Sequence, residues 1–140
     1  MGTIKKVVID TNVFVSGFGW DGKPEAVLHL LQNGRIQNFI SDDIFEELKK
    51  VVSYPKIDFP ETLQQTILEF AFIYSQFVSP AERLEIVKND PADNKFIEAA
   101  LAAHADYIIS GDRHLLSLGK YKTITITDAA AFLAAFCEPC

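Results

Sequence analysis

The apolar positions of this chain fall into short β-branched runs that alternate with longer stretches of helical period. The first run, Lys5-Lys6-Val7-Val8-Ile9, reads as a buried strand and is closed by the polar Asp10-Thr11-Asn12. A helix follows from about Pro24 to Asn33, with Pro24 in its first turn and Gly34 just past its end. Asn38-Phe39-Ile40-Ser41 reads as a second strand. Asp42 or Asp43 then caps a helix that runs to about Val52 and stops before Pro55. The stretch from Glu61 to Val78 carries Leu63, Ile67, Leu68, Phe70, Phe72, Ile73, Tyr74 and Phe77, almost too apolar for a surface helix. One side of it packs inward, and its remaining face is either buried in the monomer or meets a partner. Beyond a polar loop the pattern predicts a helix from Pro91 to His104, a strand Tyr107-Ile108-Ile109-Ser110 and a short helix near His114 to Ser117. A last strand, Thr123 to Thr127, precedes a helix opened by Asp128.

Strands that alternate with helices make an α/β protein with a central parallel sheet covered by helices. With 140 residues, 49% of them apolar, one domain over 1–140 can bury one sizeable core. No repeat, low-complexity tract or linker points to a second domain. No apolar run approaches the ~20 residues that cross a bilayer, and no signal-peptide core opens the chain, so a soluble, cytoplasmic protein is expected. Lys6 stands where a myristoylation signal needs Ser or Thr. The two cysteines, Cys137 and Cys140, form a lone Cys-x-x-Cys with no second pair or nearby histidine to complete a zinc site, and are read as a frayed tail. A net charge of −6 argues against holding duplex nucleic acid by a basic surface, unless bound cations supply the positive charge.

Acidic residues concentrate at element ends. Asp10 and Asp112 each follow a buried-looking strand, so both emerge at the carboxyl edge of a parallel sheet, where such folds bind ligands. The alternative for each is a loop aspartate that caps the next helix. On a helix over Ile44 to Val52 the apolar face is Ile44, Phe45, Leu48, Val51 and Val52. Glu47 lies at the margin of that face, whereas Glu46 points away and can pair with Lys50. On the helix after Pro91 the inward face is Phe96, Ile97, Ala100, Leu101 and His104. Asp93 falls on that stripe, while Lys95 and Glu98 point out. Asp90, just before Pro91, suits a capping role.

If Asp10, Glu47, Asp93 and Asp112 converge, carboxylates ~5 Å apart at an effective dielectric of ~20 repel by roughly 3 kcal/mol per pair. Either some are protonated or a divalent cation sits among them. Oxygen ligands suit Mg²⁺ or Mn²⁺, and the absence of a well-placed His or Cys pair argues against zinc. Such ions activate water for phosphodiester hydrolysis.

Four stretches resemble the PIN domain nucleases, in particular the branch that forms toxin components of bacterial toxin–antitoxin pairs: Val8 to Ser16, Ser41 to Val52, Asp90 to Phe96, and Ala105 to Leu116. The resemblance implies a three-layer α/β/α fold, Mg²⁺ or Mn²⁺ dependence, endoribonuclease action on RNA, a homodimer and a cognate antitoxin. It implies that Asp10, Glu47, Asp93 and Asp112 are the metal-binding acids, and that Thr11, Asn12 and Ser110 orient them or the attacking water; Thr11 has turn chemistry as its other reading. Glu46 could replace Glu47, and Asp90 could share metal duty with Asp93. Relatives that place a further acid just after the last aspartate differ from this chain, which continues Arg113-His114-Leu115. Arg113 contacts RNA phosphate or is a solvated surface arginine, and His114 is a general acid or a capping or packing histidine.

Two rivals stand beside this reading. An aspartyl-phosphate phosphatase wants a second acid two residues after the first aspartate, where Asn12 stands. A catalytically silent module of the same fold would keep the architecture and act by binding a partner.

Overall fold

Val7, Val8 and Ile9 are almost completely buried because β1 (Lys5–Ile9) runs through the middle of the sheet, with a neighbour on each side. The computed structural model describes residues 4–81, 83 and 93–136. After β1 come α1 (Thr11–Gly19), α2 (Lys23–Gln32), β2 (Ile36–Ile40), α3 (Asp42–Val52), α4 (Glu61–Tyr74) and β3 (Ser75–Phe77). Then follow α5 (Asn94–Ala103), β4 (Tyr107–Ile109), α6 (Arg113–Leu118), β5 (Lys120–Tyr121), β6 (Ile124–Thr127) and α7 (Ala129–Phe136). Among the described residues the strands form one sheet in the order β3-β2-β1-β4-β6-β5. All pairs are parallel except β5 with β6, which are antiparallel. None of the described helices is long and apolar enough to cross a membrane.

Side chains alternate across a strand, and the two faces of β1 seed two cores. Val7 and Ile9 pack with Phe14, Leu28, Leu48, Ile67 and Phe132, from α1, α2, α3, α4 and α7. Val8 packs on the opposite face with Phe96, Ile97, Ala100 and Leu115, from α5 and α6. This is the α/β/α layering. The chain leaves β1 toward β2 and β3 on one side and returns to β4 and β6 on the other, which places the topological switch between β1 and β4.

Several elements differ from the predicted ones. The hydrophobic pattern does not predict α1: its Val, Thr and Gly residues are poor helix formers. It is helical because Val13, Phe14 and Val15 are buried against α2 and α3. The predicted helix through Val78 ends at Tyr74, because Ser75–Phe77 pair in parallel with β2 at the sheet edge, Asn38 beside Ser75. Along α4, Ile67 and Ala71 are buried, whereas Phe72 and Ile73 remain 63% and 67% exposed. Phe72 and Phe77 stack with Phe45 in an aromatic group on that face. The last predicted strand is the second arm of a hairpin, turned at Lys122 with a left-handed φ of 53°. Ser41, rather than Asp42 or Asp43, caps α3, its hydroxyl accepting the Ile44 amide.

Candidate active site

Parallel pairing brings the carboxyl ends of β1 and β4 side by side, Ile9 opposite Ile109, and the Asp10 amide continues the ladder by donating to the Ile109 carbonyl. Asp10 and Ser110 are therefore the first residues beyond two neighbouring strands. Ser110, fully buried, donates its hydroxyl to Asp10 Oδ2 at 2.6 Å and accepts the Asp112 amide at 2.9 Å. Behind them, the Ile9 amide donates to Asn38 Oδ1 at 2.9 Å, and Asn38 Nδ2 donates to the Ser75 hydroxyl. Asn38 is buried and pins β1 to β2 directly behind Asp10.

The aspartates after β1 and β4 also do what their alternative reading expects. Asp10 caps α1, accepting the Asn12 amide at 3.4 Å. Asp112 caps α6, accepting the His114 and Leu115 amides at 2.8 and 3.2 Å. Capping fixes each carboxyl at the mouth of the sheet, so the two roles support one another.

Thr11, almost fully buried, lies 3.2 Å from Asp10 Oδ1 and donates its hydroxyl to Glu47 Oε2 at 2.6 Å. Glu47 thus turns inward from α3, as expected. Glu46 stays exposed and pairs with Lys49 one turn on, not with Lys50. The other Glu47 oxygen meets Lys95 Nζ at 2.5 Å, with both side chains largely covered. Lys95 was expected to point outward, as was Glu98, but Glu98 is also buried. The reason is that α5 is covered on more than the sheet side. α3 packs on it, and Ala81 lies beside Glu98 and Leu101, with Arg83 3.6 Å from the Glu98 carboxylate. Conversely, His104, expected inward, is exposed at the left-handed turn that ends α5, and Leu101 is half-buried.

Asp93 stands at the head of α5 and is buried, on the inward stripe as expected. Asp93, Asp112 and His114 each present a ligand atom within 4.8 Å of the others. Such a group offers two carboxylate oxygens and one imidazole nitrogen. Among the described residues no such group includes Asp10 or Glu47. The four acids therefore form two halves: Asp10 with Glu47 through Thr11, and Asp93 with Asp112. Ser110 joins them. Asp90, Cys137 and Cys140 lie outside the described residues. Asn12 and Arg113 are exposed at the starts of α1 and α6. Asn12, Ser16, Lys23, Pro24, Ser110 and Gly111 line an open groove beside the acids.

Burial pushes the Asp10 carboxyl above its ordinary value of 3.8, and the nearby Glu47 charge adds to this, against hydrogen bonds from Ser110, Asn12 and Thr11. For Asp112 burial also pushes upward. The Leu115 amide, a hydrogen bond with Asp93, and the His114 amide and imidazole outweigh it, so the Asp112 carboxyl lies below 3.8. Lys95 and Asn38 are the members of the site that sequence reasoning missed. Only the spacing of Lys95, two residues after Asp93, gave a signal.

The sequence profile of the PIN domain matches residues 6–114. The chain is similar to the uncharacterized protein MJ1680 of Methanocaldococcus jannaschii, at 34% identity over 117 residues, covering 81% of this chain and 74% of that protein. It is similar in fold to the crystal structure of PAE2754 from Pyrobaculum aerophilum, with a TM-score of 0.63 at 11% identity over 95% of this chain and 89% of that one.

Proposed function

Because the chain belongs to the PIN domain family, whose members are in general nucleases that use divalent metal ions, we propose that it is a metal-dependent endoribonuclease hydrolysing RNA phosphodiester bonds. The observation that supports this most directly is the Ser110 link, which sets the Asp10 carboxylate against the Asp112 backbone at the carboxyl edge of the sheet. The residues fit a divalent ion. Asp93 and Asp112 are close enough to hydrogen-bond, which two carboxyls do only when one carries a proton, and a cation can take that proton's place. Asp93, Asp112 and His114 offer ligand atoms within 4.8 Å of one another, and these three side chains would hold such an ion. In this reading Asp93, Asp112 and His114 hold the ion, while Asp10 and Glu47 complete the acidic centre. Bound there, Mg²⁺ or Mn²⁺ supplies Lewis-acid polarisation of the phosphate and acidifies water.

The chain's own groups do the rest. Burial makes Asp10 a better proton acceptor than an exposed carboxylate, suited to take the proton of the attacking water. Ser110 and Thr11 fix the Asp10 and Glu47 carboxylates in place. Exposed Arg113 and the Lys23 side of the groove offer phosphate contacts, and Asn12 an amide for the sugar or base.

Incubating a single-stranded RNA with the protein and Mn²⁺ or Mg²⁺ should give cleavage that EDTA abolishes and Asp10→Asn removes. Cleavage indifferent to both would leave the fold a silent, partner-binding module. The toxin role belongs to the same proposal, and a neighbouring reading frame for a small antitoxin-like protein would support it. Homodimer formation is likewise proposed, through exposed Phe72 and Ile73 beside the β3 edge. Sedimentation equilibrium of Ile73→Glu against the unchanged chain tests it.

A further inference from the structure

We propose that Lys95 is a built-in counter-cation for the Asp10–Glu47 half of the site, so that the chain takes one divalent ion, at Asp93, Asp112 and His114, rather than two. The inference rests on the metal-dependent reading above and deepens it.

All four carboxylate oxygens of the Asp10–Glu47 half already meet a donor from the chain. Asp10 Oδ2 accepts the Ser110 hydroxyl, and Asp10 Oδ1 faces the Asn12 amide and the Thr11 hydroxyl. Glu47 Oε2 accepts the Thr11 hydroxyl, and Glu47 Oε1 accepts Lys95 Nζ. The ammonium also lies 5.6 Å from the centre of the Phe96 ring, so its head is held from two sides. The Lys95 and Glu47 side chains are only 18% and 26% exposed, which shields the pair from solvent screening.

An ammonium is a compact point charge with three donors, and here it does for Glu47 what a metal ion does for a carboxylate pair. A divalent ion entering between Asp10 and Glu47 would have to share the Glu47 carboxylate with Lys95 and stand beside its positive charge. The other half is built differently. Asp93, Asp112 and His114 crowd their ligand atoms together, and the group beside Asp112 is an imidazole, which can bind a metal through a ring nitrogen. Lys95 is thus a positioning residue: it anchors Glu47, which anchors Thr11 beside Asp10.

The test is an Mn²⁺ titration of the full, metal-free chain, with unbound Mn²⁺ read by electron paramagnetic resonance. One ion per chain is expected for the unchanged protein and for Lys95→Arg. Lys95→Met should bind two, the second at least tenfold tighter than any second binding to the unchanged chain; Lys95→Gln serves as another neutral variant, and circular dichroism confirms folding. Two ions in the unchanged protein overturn the proposal and leave the metal-nuclease reading standing, as does a single ion in a folded neutral variant. If neither neutral variant folds, the unchanged chain decides: one ion supports the proposal and two overturn it. No bound Mn²⁺ in the unchanged chain removes this inference together with the reading beneath it.

Discussion

The Ser110 hydroxyl lies 2.6 Å from Asp10 Oδ2, although the two residues are a hundred positions apart in the chain. Because the Ser110 hydroxyl oxygen also accepts the Asp112 amide, one buried side chain sets the spacing of two aspartates that follow neighbouring strands. Ser110→Ala leaves a buried carboxylate oxygen without its donor and frees the Asp112 amide. The expected loss is ~1–3 kcal/mol of stability in a urea melt, with metal affinity weakened ~10- to 100-fold in calorimetric titration. Unchanged affinity would show that Ser110 serves packing alone.

Asp10→Asn and Asp112→Asn should shift thermal stability in opposite directions, while both retain helix capping. Asp10 has its folded carboxyl pushed above 3.8, so the folded chain binds this proton more tightly than the unfolded one. Its contribution is favourable below 3.8 and is lost as pH rises through the raised value. Metal-free Asp10→Asn should therefore melt higher than the unchanged chain at neutral pH, with the gap closing toward pH 3.8. Asp112 is the reverse: its lowered value adds stability above 3.8 that is lost as pH falls. Asp112→Asn should melt lower at neutral pH. Scanning calorimetry across pH 3 to 8 reads both, and Asp10→Asn should lose ~100-fold or more in RNA cleavage.

Thr11→Val keeps the shape of a buried side chain and removes the hydroxyl shared by Asp10 and Glu47. A loss of ~1 kcal/mol and a ~10-fold drop in cleavage rate are expected, with Thr11→Ser close to the unchanged protein. If Val and Ser behave alike, Thr11 is serving the turn and not the site.

Gly17 tests the helix that the hydrophobic pattern leaves out. A Cβ there would lie 2.4 Å from Leu28 Cδ1 and 3.1 Å from the Pro24 carbonyl oxygen, and the backbone contact cannot rotate away. Gly17→Ala should therefore destabilise by ~1–3 kcal/mol despite alanine's better helix propensity, lowering the melting temperature by roughly 3–10 °C. A stabilised variant would mean that α1 and α2 pack less closely than described.

Strand periodicity in Val7-Val8-Ile9 and Tyr107-Ile108-Ile109, together with the capping chemistry of Asp112 and Asp128, determined the two central strands, the starts of the last two helices and the sheet edge where Asp10 and Asp112 emerge. These signals are local: they depend on side-chain alternation and on backbone donors within a few residues. The margin position of Glu47 and the inward position of Asp93 were legible for the same reason, since a helix's own period fixes which residues share a face. Everything that joins distant segments was decided by tertiary packing. α1 is helical because Phe14 is buried, not because its residues favour a helix. Lys95 and Glu98 turn inward because α5 is covered on more than one side. The division of the four acids into two halves depends on Ser110, Thr11 and Lys95 meeting partners thirty-six to a hundred residues away. No pattern within one element carries such contacts, because they exist only once the sheet has set β1 beside β4 and packed α3 against α5.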